Sequence, residues 1–313
     1  MIKRFQNKIA ESRKALPIVS VLCGALWIFA GLHDNTVWPV FGCIVLATYL
    51  MVELNNTNAL IRIYSRMVSC AFLVFMTMAS FEYRSLSEAV IVLCLVGFYL
   101  ALFKCYQDNR ATGWTFYAFL CLGLASVMSV HVLFYLPVLW IIMASSLLSM
   151  SAKTFFASLF GIITPYWFLA AFYAITNDFN SFILHFESLA EFGKVADYTI
   201  LDTRQIVTIS LLLISAIIGS VHFINTSTND KIRTRKLYEI FIIIDVISFI
   251  FLALQPQHYD MLLGLITINT SPLIAHYISL TRTKITNIVT ITLIILAIIV
   301  TAYNTWMPLL TFL

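Results

Sequence analysis

Long apolar runs divided by short polar intervals fill almost the whole chain, and the length of each run is the main signal. About 20 apolar residues are what an α-helix needs to cross the hydrocarbon core of a bilayer. Read this way, the pattern predicts an all-α bundle of about eleven membrane-spanning helices. The first four are Ala15 to Leu32, Val37 to Val52, Met67 to Phe81 and Glu88 to Tyr106. Gly113 to Leu148 then runs for 36 residues with no formal charge, apart from a neutral His131. That is too long for one helix, and a break at Ser126 to His131 divides it into two short ones. The remaining five are Thr154 to Thr176, Ile206 to Phe223, Leu237 to Leu254, Met261 to Leu280 and Ile285 to Trp306. The one long polar interval is 177–205. Within it, SFILHFESLAEF places Phe182, Phe186, Leu189 and Phe192 largely on one helical face, which predicts an amphipathic helix lying on the membrane.

Composition agrees with the pattern. Hydrophobic residues make up 61% of the chain and charged residues 11%, with a mean hydropathy of +0.92. Soluble domains carry about 25% charged residues, so residues 1–313 are expected to form a single integral membrane domain. The net charge of +4 is dispersed along the chain, which argues against a nucleic-acid partner. The six cysteines fall in or at the ends of apolar runs, with no CxxC or Cys/His cluster, so neither disulfides nor a metal is expected. No cofactor is implied. The first apolar run lacks a small-x-small cleavage site and is followed at once by a second, which predicts a retained helix and not a signal peptide.

Charge sets the orientation. With the N-terminus in the cytoplasm, 16 of the 19 lysines and arginines fall on cytoplasmic segments, including Lys231, Arg233, Arg235 and Lys236. Treating 113–148 as one helix would turn that basic cluster outward. The C-terminus is therefore expected in the periplasm. Nine acidic residues sort to the outer face, together with His33, His131, His185 and His258.

Asp245 stands out chemically. It lies nine residues past Lys236, about 13 Å along a helix and so near the bilayer midplane. It is the one carboxylate that cannot be placed near a membrane surface. A carboxylate at a helix centre costs on the order of 2.5–3.5 kcal/mol on insertion scales, so a partner or a proton must offset it. It could relay a proton or cation, or it could fasten helices together. Thr267, Asn269, Thr270 and Ser271 of the next helix are candidate partners, and Pro165, which frees a backbone carbonyl, could complete an intramembrane polar site. A second candidate is the inner-face set Asn58, Arg62 and Arg66, whose spacing of four puts them on one face if the segment is helical. Two arginines there can grip a phosphate headgroup, or simply anchor the chain by the topology rule. The third is the outer face, where Asp34, His131, His185, Arg204 and His258 could bind cations or exchange protons, or could be solvated loop residues.

Three blocks carry a resemblance. ALIRIYSRM (Ala59 to Met67), the segment Gly123 to Trp167 ending in GIITPYW, and KIRTRKLYEIFIII (Lys231 to Ile244) resemble an uncharacterised family of polytopic inner-membrane proteins of the Bacteroidota, a domain of unknown function. The resemblance implies a bacterial inner-membrane location and brings no activity with it. Two function classes remain open. One is a non-enzymatic protein, either a small-solute transporter or an accessory component of an envelope complex that contacts envelope proteins. The other is a polyprenyl-donor membrane glycosyltransferase or glycan polymerase, for which a polyprenyl-phosphate lipid would be the partner.

Overall fold

The computed structural model describes residues 4–31, 37–82 and 85–310. Asp34 and His33 lie outside the described residues, as does Arg84. Among the described residues the fold is helical without strands. A short helix, α1 (Phe5–Ala10), precedes α2 (Ala15–Gly31), α3 (Val37–Asn58), α4 (Met67–Met78) and α5 (Leu86–Leu102). The middle of the chain forms α6 (Thr112–Met128), α7 (Leu136–Ser145), α8 (Ala152–Ile175) and α9 (Phe179–Glu187). The last part forms α10 (Thr203–Thr226), α11 (Ile232–Leu254), α12 (Tyr259–Leu280) and α13 (Lys284–Leu310). Seven of these, α3, α5, α8 and α10 to α13, are long and apolar enough to cross a membrane. Four shorter apolar helices accompany them: Ala15–Phe29, Met67–Met78, Thr112–Met128 and Val130–Ser145.

The interruptions have local causes. α6 stops at Met128, and Ser129 turns extended before a 3₁₀ stretch, Val130–Tyr135, leads into α7. Pro137 at the start of α7 has no N–H to give and suits a first turn, so it closes off a continuous helix across the region. α8 begins at a reciprocal cap in which Ser151 and Thr154 satisfy each other's backbone N–H groups. α3 runs six residues past the expected Val52 and ends at Asn58, where Ala59 adopts φ 46°. Asn177, at φ 55°, follows the end of α8 in the same way.

α12 is the axis of the bundle. Every residue from Met261 to Ser279 is buried, and α1, α4, α5, α10 and α11 pack around it. On the other side of α5, α6 and α8 form a second layer, with α9 against α8. Glycines allow two of the closest approaches. A Cβ on Gly219 of α10 would stand 2.6 Å from the Leu273 carbonyl carbon of α12, and one on Gly161 of α8 2.6 Å from Phe116 O of α6.

The two ends of the bundle differ in charge. At one end, Asn7 Nδ2 donates to Thr281 O at 2.9 Å, Arg233 Nη2 to Asn58 Oδ1 at 3.0 Å, and Gln107 N to Leu147 O at 2.7 Å. Every described lysine and arginine except Lys194 and Arg204 belongs to segments at that basic end. At the other end, Asn304 Nδ2 donates to Met78 O at 2.9 Å and Tyr259 OH to Gln205 O at 3.2 Å. That end carries Glu82, Glu88, Asp260 and the acidic residues of 177–205.

The 177–205 segment differs from the expected single amphipathic helix. α9 ends at Glu187, a 3₁₀ turn follows, and Glu191 is extended, so Glu187 and Glu191 do not share a helix. Phe182 and Phe186 lie against Tyr173 and Tyr166 of α8, and Phe192 against Phe134. Aromatic contacts tie this segment to the bundle, while Phe186 and Phe192 of the expected face stay 38% and 56% exposed.

Candidate functional site

Many of the buried polar residues lie along α12 and the helices that face it. Asp245, in the middle of α11, is 2% exposed. Thr270 Oγ1 of α12 donates to its carboxylate, at 3.1 Å from Oδ2 and 3.4 Å from Oδ1. One turn further along α11, Ser248 Oγ and Tyr135 OH lie 2.8 Å apart. On another side of α12, Tyr99 OH of α5 donates to Asn269 Oδ1 at 2.5 Å, while Asn269 Nδ2 donates back to Leu265 O at 2.8 Å. Tyr238 OH of α11 donates to Pro272 O at 3.3 Å. A void of about 10 Å³ between Tyr99, Tyr135, Leu139 and Ile244 leaves room for about one water at most.

The intramembrane site expected from the sequence is thus brought together in part. Asp245 does point into the bundle and does meet a hydroxyl of the next helix. Asn269 faces α5 instead, and Ser271 Oγ donates to Thr267 O at 2.6 Å within its own helix. Thr267 Oγ1 is buried without a hydrogen-bond partner among the described residues. Pro165 does not join the group. It packs on α6, where its Cγ would lie 3.1 Å from a Cβ on Gly123.

A second buried carboxylate escaped the sequence reading. Asp230, just ahead of α11, lies with its Oδ2 3.0 Å from His276 Nε2 of α12, and both side chains are nearly inaccessible, at 2% and 1%. Arg62 Nη1 is 3.9 Å from Asp230 Oδ1 and donates to Asn229 O at 3.2 Å. The rings of His222 and Tyr238 lie 5.5 and 5.0 Å from that of His276. His276 Nδ1 is buried and unpartnered among the described residues. In the sequence Asp230 is one residue of a polar turn, and a separation of 46 positions from His276 carries no periodic signal.

The inner-face set takes a different form from the one its spacing suggested. Residues 59–66 are not helical, so Asn58, Arg62 and Arg66 share no helical face. Arg66 Nη1 donates to Asn56 Oδ1 at 3.1 Å, and Asn58 is held by Arg233. With Arg62 turned toward Asp230, the three do not converge on one site.

At the acidic end the structure gathers the outer-face histidines more closely than the sequence could show. The rings of His131 and His258 are 3.9 Å apart. His185 Nε2 lies 3.5 Å from Tyr166 OH, which donates to Ser126 Oγ at 2.9 Å. Burial pushes the His185 imidazole below its usual range. Arg204 Nε donates to Asp202 Oδ2 at 2.8 Å, a bond that holds the Asp202 carboxyl below its usual range, and the guanidinium sits over Phe81 at 4.9 Å. Burial pushes half-buried Glu82 up to about 7; a hydrogen bond from Gln205 opposes this, and the nearby Asp260 and Glu88 add to it. No three His, Cys, Asp or Glu among the described residues are arranged to hold a metal ion.

Comparison with family models, with curated proteins and with solved structures finds no match to this chain.

Proposed function

We propose that the chain is a multi-pass protein of the bacterial inner membrane that moves a small solute, with Asp245 as the group whose protonation changes during transport. In this reading all eleven predicted segments span the bilayer, α9 lies near the outer interface, the N-terminus is cytoplasmic and the C-terminus periplasmic. Membership of the Bacteroidota family that the three blocks resemble belongs to the same proposal. The separation of a basic from an acidic end supports the orientation.

Asp245 is the observation that carries the reading. A carboxylate enclosed at the midplane is expensive, and an asparagine could hold the same Thr270 contact without an ionisable proton. Retaining an acid there favours a role for its proton. Asp245→Asn keeps the shape and an acceptor for Thr270, whereas Asp245→Leu keeps neither. The reading expects the Asn variant to match the parent in thermal stability in detergent and to fail to complement a chromosomal deletion. It expects the Leu variant to lose stability as well. Full complementation by Asp245→Asn would make the residue a helix fastener and remove the transport reading.

A polyprenyl-donor glycosyltransferase or polymerase finds less support. Such an enzyme needs free cationic and acid–base groups at its outer face. Here Arg204 is bound to Asp202, and His185 lies against Tyr166. An accessory role in an envelope complex keeps the same topology and predicts that Asp245→Asn complements.

A further inference from the structure

Between the last turns of α10 and the first three turns of α11, at the basic end, lies an open crevice of about 380 Å³. Ile224, Ile232 and Ile242 supply apolar walls, and Arg235, Lys236 and Glu239 supply charge. From Ile232 to Ile242 the crevice follows about 15 Å of α11. Ile224 and Ile232 are both 63% exposed and carry the apolar surface outward from the bundle.

The charges in the crevice do not balance. Lys236 Nζ is paired with Glu239 Oε2 at 2.7 Å. Arg235 has no acidic partner among the described residues, and its Nε is buried without a hydrogen-bond acceptor. Three arginines near the crevice are engaged within the protein: Arg62 with Asp230 and Asn229, Arg66 with Asn56, and Arg233 with Asn58 and Phe103 O. The first turn of α11 contains no acid, although the positive end of a helix dipole favours an anion. A guanidinium without an acidic partner favours an anion, and a phosphate oxygen meets it with a charge-assisted hydrogen bond.

We propose that this crevice binds one anionic phospholipid, with its phosphate on Arg235 and an acyl chain along Ile224, Ile232 and Ile242. A free anion would satisfy the guanidinium but leave the isoleucine walls uncovered. A zwitterionic lipid would fill the walls but bring a cationic choline beside Lys236 and Arg235. The site is separate from the Asn58, Arg62 and Arg66 set and needs only that the chain lie in a membrane. It stands whether or not Asp245 takes part in transport.

Purified protein in detergent is titrated with phosphatidylglycerol or phosphatidylcholine, and retained lipid is counted by native mass spectrometry alongside the thermal midpoint. The parent is expected to retain one phosphatidylglycerol in preference to phosphatidylcholine and to be stabilised by it. Arg235→Gln should weaken that binding by about tenfold, the loss of one charge-assisted hydrogen bond. Lys284→Gln, an exposed cation at the same end, should bind as the parent does. Millimolar inorganic phosphate should not displace the lipid. Equal binding by Arg235→Gln, an equal loss in Lys284→Gln, or displacement by phosphate overturns the proposal. If Arg235→Gln does not fold, Ile224→Trp narrows the crevice without changing charge, and unchanged phosphatidylglycerol retention in that variant overturns it instead.

Discussion

α12 and α13 follow each other in the chain and are used in opposite ways. Among the seven long apolar helices, α13 is the most hydrophobic and the least enclosed, with 22% of its most apolar window buried. α12 is the least hydrophobic, and the corresponding window is 100% buried. A soluble protein would place them the other way round. In a bilayer the lipid tails are as apolar as leucine, so hydrophobic side chains gain nothing by leaving them. Polar side chains have no water there and must find partners within the protein. α13 obeys the same rule where it carries polar groups: Asn304 is 2% exposed and donates to Met78 O and Thr208 Oγ1. The contrast shows that burial in this chain sorts polarity inward, as an integral membrane protein requires.

The most severe way to break the contrast is to remove a polar partner from α12. His276→Leu leaves the Asp230 carboxylate buried without its hydrogen-bond partner and with Arg62 3.9 Å away. Breaking a buried pair from one side costs about 3–5 kcal/mol. The variant should give little folded protein by size-exclusion chromatography in detergent. A Leu variant that purifies with the parent's melting temperature would show that Asp230 does not depend on this partner.

A smaller effect is expected from bulk placed at the surface of α12. A side chain on Gly219 enters the Leu273 backbone, and overpacking of this kind costs about 1–3 kcal/mol. Gly219→Leu should lower the thermal midpoint clearly. Ile298→Leu on α13, at a position 64% exposed, should stay within about 0.5 kcal/mol of the parent. Equal losses in the two variants would mean that α13 is not the lipid-facing member of the pair.

The mildest effect concerns the acidic head of α12. Asp260 faces Glu82 beside Gln205 of α10 and Glu88 of α5, with Arg204 nearby, and the Glu82 carboxyl is held up at about 7. The folded protein then binds this proton more tightly than the unfolded chain, where a glutamate titrates near about 4.3. Stability from this group is present below that value and is lost as pH rises toward about 7. Thermal midpoints measured across that window should fall with pH, and Glu82→Gln should flatten the slope. An unchanged slope in the variant would place the titration elsewhere.

Much of this was legible in the linear pattern. The break near Ser126 to His131, the separation of basic from acidic segments and the inward position of Asp245 follow from run lengths and charge. Each of these depends on local chemistry or on the cost of moving a charge into hydrocarbon. Which helix occupies the centre is a different kind of fact. Hydropathy separates α12 from α13 but does not say which helices surround either of them, because protein interior and lipid are equally good surroundings for isoleucine. Packing decided it, through the close approach at Gly219 and through polar groups on several sides of α12 that meet partners on several helices. The same holds for Asp230 and His276, which meet only because α11 and α12 lie side by side. It holds as well for Asn58, Arg62 and Arg66, which separate because the helix stops at Ala59. What the sequence determined alone was where helices form and which residues cannot face lipid; which neighbours those residues find depends on contacts between distant segments, and only the tertiary structure decided them.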